Sequence, residues 1–280
     1  MATETPKITV HWLDKSRAQR ILWLLEELNL PYEVDIYHRA PLEAPESLRK
    51  VHPLGKSPVL TLQPPDSAAP LTLAESGFIA SYLATHFGGR GGAPPLVPRR
   101  WRPGREGQVG GETDAWLRHE YLLHYGEGSL MPLVVTKLIL DLFSSSRVPF
   151  FVRPVAGAVA RKVIGAYIFP NAERHLGFLE EMLKDVPADG GEAEEEEGGR
   201  EGGTKERRYL CGDKLTAADI LMSFPILTAK DRFKDAGAWK PSLEAQFPRV
   251  WAYLERLENE EGYKRSIKKI EELDGKFIAN

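Results

Sequence analysis

Ser16 lies between two cations, Lys15 and Arg17, in LDKSRAQRILWLLEEL (Leu13–Leu28), where a strand-like run gives way to a helical one. A serine nucleophile needs a neighbouring base, and no GxSxG-like context surrounds Ser16. Donating a hydrogen bond to an anion requires less. A helix start carries partial positive charge, and Lys15 and Arg17 add to it. A thiol with a pKa of about 8.5 is only a few per cent ionised at neutral pH. Lowering that pKa by ~2 units takes about 2.7 kcal/mol of preferential thiolate stabilisation. One hydroxyl donor and a helix end together supply energy of that order. A thiol-bearing ligand bound at this turn would therefore be activated. Read alone, the same hydroxyl is a helix cap.

Two further stretches carry complementary groups. In GKSPVL (Gly55–Leu60), Pro58 lacks an N–H and cannot serve as an ordinary mid-sheet residue. A cis Ser57–Pro58 bond would turn the chain sharply and present the Ser57 backbone to a peptide-like ligand, as an added strand does. An ordinary loop proline is the alternative. In LAESGF (Leu73–Phe78), Glu75 offers a carboxylate for an ammonium group, and Ser76 offers a hydroxyl beside helix-start N–H donors. That set would hold both ends of an α-amino acid; simple capping by Ser76 is the alternative. LTAADI (Leu215–Ile220) reads structurally, as a capping box with Thr216 at the N-cap and Asp219 three positions on.

These residues need a frame. Ile8, Val10 and Trp12 alternate as a half-buried strand. Ala18, Ile21, Leu22, Leu25 and Leu28 recur at helical spacing, and Asn29 and Pro31 end that helix. Tyr32, Val34 and Ile36 alternate again, which predicts a β-α-β unit with parallel strands. A loop follows, with a short helix over Ser47–Val51. PVLTL and LTLA flank QPPDSAAP and predict a hairpin, and Phe78, Ile79, Tyr82, Leu83 and Phe87 predict a helix after it. This β-α-β then β-β-α order is the thioredoxin-like arrangement. Gly88–Gly111, rich in Gly, Pro and Arg, reads as an interdomain linker. From Glu112 onward the signals are helical: TDAWLRHEYLLHY, Pro132–Phe143, Pro154–Leu183, Ala217–Leu227 and Val250–Leu257. The expected division is residues 1–90, a linker over 91–111 and an all-helical domain over 112–280. Asp185–Arg208, rich in Gly and Glu, reads as a disordered surface insertion, with a regulatory acidic tether as the second reading.

Composition narrows the functional classes. A net charge of −3 provides no global basic field to recruit nucleic acid or an acidic membrane. Cys211 is the single cysteine, so there is no internal disulfide or CxxC pair, which fits a reducing, cytoplasmic setting. MATETPKITVHWL does not read as a signal peptide. No stretch reaches the roughly 18 uninterrupted apolar residues of a membrane span. FFVRPVAGAVARKVIGAYIF (Phe150–Phe169) comes nearest, broken by Arg153, Pro154, Arg161 and Lys162. It reads as a partly buried helix after Pro154, with a membrane-surface helix as the second reading.

Taken together, HWLDKSRAQRILWLLEELNLPYEV, HPLGKSPVL, LAESGFIASYL, YGEGSL and CGDKLTAADILMSFP lie in the order and at the distances seen in one family. The chain resembles the glutathione S-transferase superfamily, in particular the theta-like, serine-type fungal GTT class and its bacterial relatives. The resemblance implies an α/β thioredoxin-like N-terminal domain followed by an all-α domain. It implies that Ser16 hydrogen-bonds the glutathione sulfur, with Arg17 as a second thiolate stabiliser. Pro58 matches the family's cis-proline, and Ser57 would pair through its backbone with the cysteinyl part. Lys56 would face the glycine carboxylate, and Glu75 and Ser76 would grip the γ-glutamyl end. His52 stands where many relatives have Asn and is assigned no contact. Thr216 and Asp219 match the folding cap of the helical domain. A second, apolar substrate would sit between domains against the helix of Tyr121 and Tyr125, which are four residues apart on one face; packing is the alternative for both. His119 and His124 read as surface or packing residues.

The activity so implied is attack of enzyme-bound glutathione thiolate on a hydrophobic electrophile, with glutathione as co-substrate and no metal. The same thiolate attacking a hydroperoxide would add peroxidase activity. No cysteine stands at position 16, which disfavours mixed-disulfide chemistry. A homodimer is expected from the resemblance; peripheral association with an intracellular membrane is the second reading of Phe150–Phe169, behind a partly buried helix. A weakly catalytic ligand-binding or regulatory protein on the same fold is the competing class.

Overall fold

The structure, a computed structural model, describes residues 6–39, 43–187, 208–237, 239–275 and 277. Alternation in the first segment produces β1 (Lys7–Leu13), with Ile8, Val10 and Trp12 buried. The helical spacing that follows produces α1 (Gln19–Glu27), buried from Gln19 through Leu25. That crossover returns the chain to β2 (Glu33–Tyr37), which pairs parallel to β1 with Val10 opposite Val34. After α2 (Glu46–Val51), the hairpin of β3 (Val59–Gln63) and β4 (Leu71–Ala74) adds two antiparallel strands. The sheet order is β2-β1-β3-β4. The helix α3 (Ser76–Phe87) follows β4 directly and buries Ile79 and Leu83. The thioredoxin-like arrangement expected from the sequence is the one observed.

The remaining elements are helical: α4 (Asp114–Tyr125), α5 (Met131–Leu142), α6 (Arg153–Val163), α7 (Phe169–Lys184), α8 (Ala217–Phe233), α9 (Leu243–Gln246), α10 (Pro248–Glu258) and α11 (Glu261–Asp274). One π-helical turn, Gly126–Leu130, joins α4 to α5, and another, Ile164–Ile168, joins α6 to α7. Each is followed by a helix with proline in its first two positions, Pro132 or Pro170. The missing proline N–H removes one i→i−4 bond where the turn widens. Of the acidic insertion expected over Asp185–Arg208, residues 188–207 lie outside the described residues.

The chain divides into two compact units. One comprises Met1–Pro98, Leu215–Phe224 and Leu257–Asn280; the other comprises Arg99–Lys214 and Pro225–Arg256. In the first, α11 packs on α1. The Trp23 and Tyr263 rings meet edge-on at 5.3 Å, Gln19 Nε2 donates to Ser266 Oγ at 3.0 Å, and Trp12 Nε1 donates to Asp274 Oδ2 at 3.2 Å. In the second, Glu180 of α7 accepts the Val250 N–H at 3.0 Å and the Arg249 N–H at 3.2 Å, which satisfies the start of α10.

Candidate functional site

The turn that carries Ser16 is pinned on both sides. Asp14 N–H donates to the Tyr37 carbonyl at 3.1 Å, and Asp14 Oδ1 accepts the Arg39 N–H at 2.7 Å. Lys15 then takes a left-handed backbone, with φ of 50°, a region that non-glycine residues enter sparingly. This reversal turns the buried Ser16 hydroxyl inward. Ser16 does not cap α1, contrary to the simplest reading of its sequence. Ala18 holds the cap position with helical torsions, and Ser16 Oγ accepts the Ala18 N–H two residues on, at 3.3 Å.

Ser57 meets this hydroxyl. Its Oγ lies 3.2 Å from Ser16 Oγ and donates to the His11 carbonyl at 3.1 Å. With the Ser57 proton engaged by His11, the Ser16 proton is the one directed between the two oxygens. The Ser57–Pro58 bond is cis, as the family resemblance implied and against the reading of an ordinary loop proline. Pro58 is buried, Ser57 is half-buried, and Lys56 is exposed beside them.

Glu75 is exposed at the junction of β4 and α3, with φ of 71° and ψ of 118°. It occupies the cap position and its carbonyl accepts the Ile79 N–H at 2.9 Å. Ser76 is therefore the first helical residue and not the cap expected from LAESGF. Its buried Oγ instead accepts a hydrogen bond from Arg20 Nη2 at 3.1 Å. The first-turn N–H groups of α3 have no helical acceptor and are suited to an anion.

Arg20 is the residue that reasoning from sequence missed. It is fully buried in α1. Besides Ser76, its Nη1 reaches the Leu221 carbonyl at 2.7 Å and its Nε the Arg17 carbonyl at 3.4 Å. Two signals were available: a cation adjoining the apolar stripe of Ala18, Ile21 and Leu22, and Pro225 four residues beyond Leu221. Thr216 and Asp219 meet where the capping box was expected, through its Asp219 half. Asp219 Oδ2 accepts the Thr216 N–H at 2.9 Å and the Thr216 hydroxyl at 2.6 Å, at the start of α8.

In the second unit, Tyr121 and Tyr125 stack at 5.5 Å, and the Phe178 ring lies 5.9 Å from Tyr121 and 5.5 Å from Tyr125. Tyr121 is about half exposed, at 48%. Tyr125 is buried, with Oη 2.7 Å from His175 Nδ1. Burial pushes the Tyr125 phenol up and the His175 imidazole down. At neutral pH both partners are therefore uncharged, and the hydrogen bond joins a neutral phenol to a neutral ring. His119 is also buried, with Nδ1 3.2 Å from Glu120 Oε1. Among the described residues, no group of three or more His, Cys, Asp or Glu is placed to hold a metal.

Comparison with known proteins bears on the whole chain. The family described as glutathione S-transferase, N-terminal domain, matches residues 16–86, and glutathione S-transferase, C-terminal domain, matches residues 200–261. The chain is 35% identical to Glutathione S-transferase 1 of Saccharomyces cerevisiae over 275 residues, covering 97% of this chain and 99% of that protein. It is 30% identical to Glutathione S-transferase 3 of Schizosaccharomyces pombe, over 80% of this chain and 74% of that one. A glutathione S-transferase from Actinobacillus pleuropneumoniae of known crystal structure aligns with a TM-score of 0.58 and 25% identity, covering 94% of this chain and 92% of that one. Likeness at this level over nearly the full length, joined to the mixed four-stranded sheet and the helices that follow it, means that the chain belongs to the glutathione S-transferase family and is a glutathione transferase.

Proposed function

We propose that the Ser16 turn holds the sulfur of glutathione as a thiolate, which attacks a hydrophobic electrophile. The carrying observation is the 3.2 Å approach of Ser16 Oγ to Ser57 Oγ. It brings a hydroxyl donor beside the residue whose backbone would pair with the cysteinyl part. Arg17 adds positive charge at the same turn, Lys56 takes the glycine carboxylate, and Glu75 and Ser76 take the γ-glutamyl end. The apolar co-substrate lies against the exposed ring of Tyr121, with Tyr125 supporting it from beneath. In conjugation the thiolate forms a carbon–sulfur bond as the leaving group departs or the acceptor bond opens. With a hydroperoxide the same thiolate takes oxygen, and a second glutathione completes reduction to alcohol, water and oxidised glutathione.

The test is an ultraviolet titration of the thiolate in the binary complex. A bound thiol pKa about 2 units below the usual ~8.5 supports the mechanism. A value equal to that of free glutathione refutes it and favours a ligand-binding or regulatory role on the same fold. The family membership supports a homodimer, which light scattering after size exclusion would test by mass.

We also infer peripheral binding to anionic lipid surfaces through the segment around α6. Phe150, Phe151, Val155 and Val159 are 80%, 71%, 68% and 60% exposed. Arg147, Arg153, Arg161 and Lys162 accompany them, with no acidic residue between Ser144 and Phe169. Apolar side chains beside cations suit the headgroup boundary. Co-sedimentation with phosphatidylserine vesicles, lost in Phe150→Ser/Phe151→Ser and absent with phosphatidylcholine alone, is expected. Equal sedimentation of the variant would refute the reading.

A further inference from the structure

We propose that Arg20 is a positioning residue for substrate, acting through Ser76 to fix the hydroxyl that meets the γ-glutamyl carboxylate. The inference rests on the glutathione site proposed above. A buried guanidinium is costly unless its donors are engaged. Here the protein anchors it from several directions. Pro225 lies inside α8 and has no N–H, so the Leu221 carbonyl four residues earlier lacks its helical donor. Arg20 Nη1 fills that vacancy at 2.7 Å. Arg20 Nε reaches back to the Arg17 carbonyl, and the guanidinium carbon lies 5.4 Å from the centre of the Phe224 ring. So held, Nη2 donates to Ser76 Oγ at 3.1 Å.

The chemical consequence concerns a proton. A hydroxyl oxygen that accepts from a cation turns its own hydrogen away from that cation. Arg20 therefore sets Ser76 as a donor, the role needed to bind a carboxylate, and the adjacent positive charge strengthens the bond it donates. The Arg17 carbonyl is a third, longer contact of the same guanidinium, 3.4 Å from Nε, and helps to hold its plane. Lysine at this position has no planar fork and cannot serve the three directions together.

The experiment is a double-mutant cycle on the full chain, with Ser76→Ala, Arg20→Lys and the double variant. Calorimetry would measure affinity for glutathione and for cysteinylglycine, which lacks the γ-glutamyl group, and ultraviolet titration the pKa of bound thiol. Ser76→Ala and Arg20→Lys are each expected to weaken glutathione binding about tenfold. The double variant should bind within about twofold of Ser76→Ala alone, with cysteinylglycine affinity and the bound thiol pKa unchanged in Arg20→Lys. Should Arg20→Lys lack native circular dichroism, Arg20→Gln, which removes the buried charge and keeps a donor, enters the same cycle. Equal weakening by Arg20 substitution in the Ser76→Ala background, or an equal loss for cysteinylglycine, would overturn the inference while leaving the site intact. A Ser76→Ala variant with unchanged glutathione affinity would instead sink the site assignment itself, and this inference with it.

Discussion

Replacing Ser16 with alanine isolates the contribution of one hydroxyl. Ser16 Oγ accepts the Ala18 N–H at 3.3 Å and shares a proton with Ser57 Oγ at 3.2 Å. Both distances are long, so their loss costs about 1 kcal/mol of stability and the fold persists. A hydrogen bond to a charged acceptor contributes about 1.5–3 kcal/mol. At 1.36 kcal/mol per pKa unit, its removal raises the bound thiol pKa by about 1–2 units. Below both pKa values the thiolate fraction, and with it turnover, then falls about 10- to 100-fold. Above both, the two enzymes converge apart from the lower nucleophilicity of a more stabilised thiolate. The assay is turnover with a chromogenic aryl halide from pH 5.5 to 9.5, alongside ultraviolet titration of the binary complex. Glutathione KM should move less than about threefold, because the other contacts remain. A pH profile superimposable on that of the unmodified enzyme would refute the assignment and shift the stabilising role to Arg17 or to backbone N–H groups.

Three further predictions follow from the packing. Asp219→Ala removes a fully buried carboxylate that accepts two hydrogen bonds from Thr216; it should cost about 2–4 kcal/mol, read by urea denaturation, with turnover per folded molecule retained. In Gly262→Ala the new Cβ would fall on Glu27 Oε1, the acceptor of Trp23 Nε1 at 2.9 Å, and 3.0 Å from Trp23 Cδ1. Displacing Glu27 should cost about 1–3 kcal/mol and lower the melting temperature. His175 has a folded-state pKa held below 6.5 by burial. As pH falls through about 6.5 the unfolded chain binds the proton first, so stability is flat above that pH and declines below it, by at most 1.36 kcal/mol per pH unit. Urea midpoints at pH 7.5 and 5.5 should differ less in His175→Gln than in the unmodified chain.

The strands and helices of the first 87 residues were legible because each carries its own period. Ile8, Val10 and Trp12 alternate; Ile21, Leu22 and Leu25 recur at helical spacing. The helix α11 was not anticipated, although Tyr263 and Ile270 lie on its buried side. In YKRSIKKIEEL apolar residues are spaced by three and four but outnumbered by charges. The serines illustrate a different limit. Composition identifies Ser16 and Ser76 as helix-start residues, but only the left-handed turn at Lys15 and the positive φ of Glu75 determine that neither caps its helix. Arg20 was hidden for a related reason. Its partner carbonyl on Leu221 is 201 residues away, and that carbonyl is available only because Pro225 interrupts a helix.

The site hydroxyls share a logic that bears on catalysis. In the function proposed above each would donate to an anion, a thiolate at Ser16 and a carboxylate at Ser76, yet a free hydroxyl rotates and offers its lone pairs as readily as its proton. The protein removes that freedom by giving each oxygen an internal donor: the Ala18 N–H for Ser16 and the Arg20 guanidinium for Ser76. With one lone pair engaged from within, the proton is directed elsewhere before ligand arrives, so little reorganisation accompanies binding. At Ser16 that proton rests on Ser57 Oγ across 3.2 Å, longer than the usual ~2.7–2.8 Å for hydroxyl pairs. A weak resting bond is readily exchanged for a charge-assisted one to sulfur. Ser57 loses little in that exchange, because its own proton stays on the His11 carbonyl at the edge of the sheet. Ser57→Ala should therefore leave the bound thiol pKa within about half a unit of the unmodified value, whereas Ser16→Ala moves it by about 1–2 units. Equal shifts from the two substitutions would mean that the pair acts on the sulfur as one unit, and that the proton order assigned here is wrong.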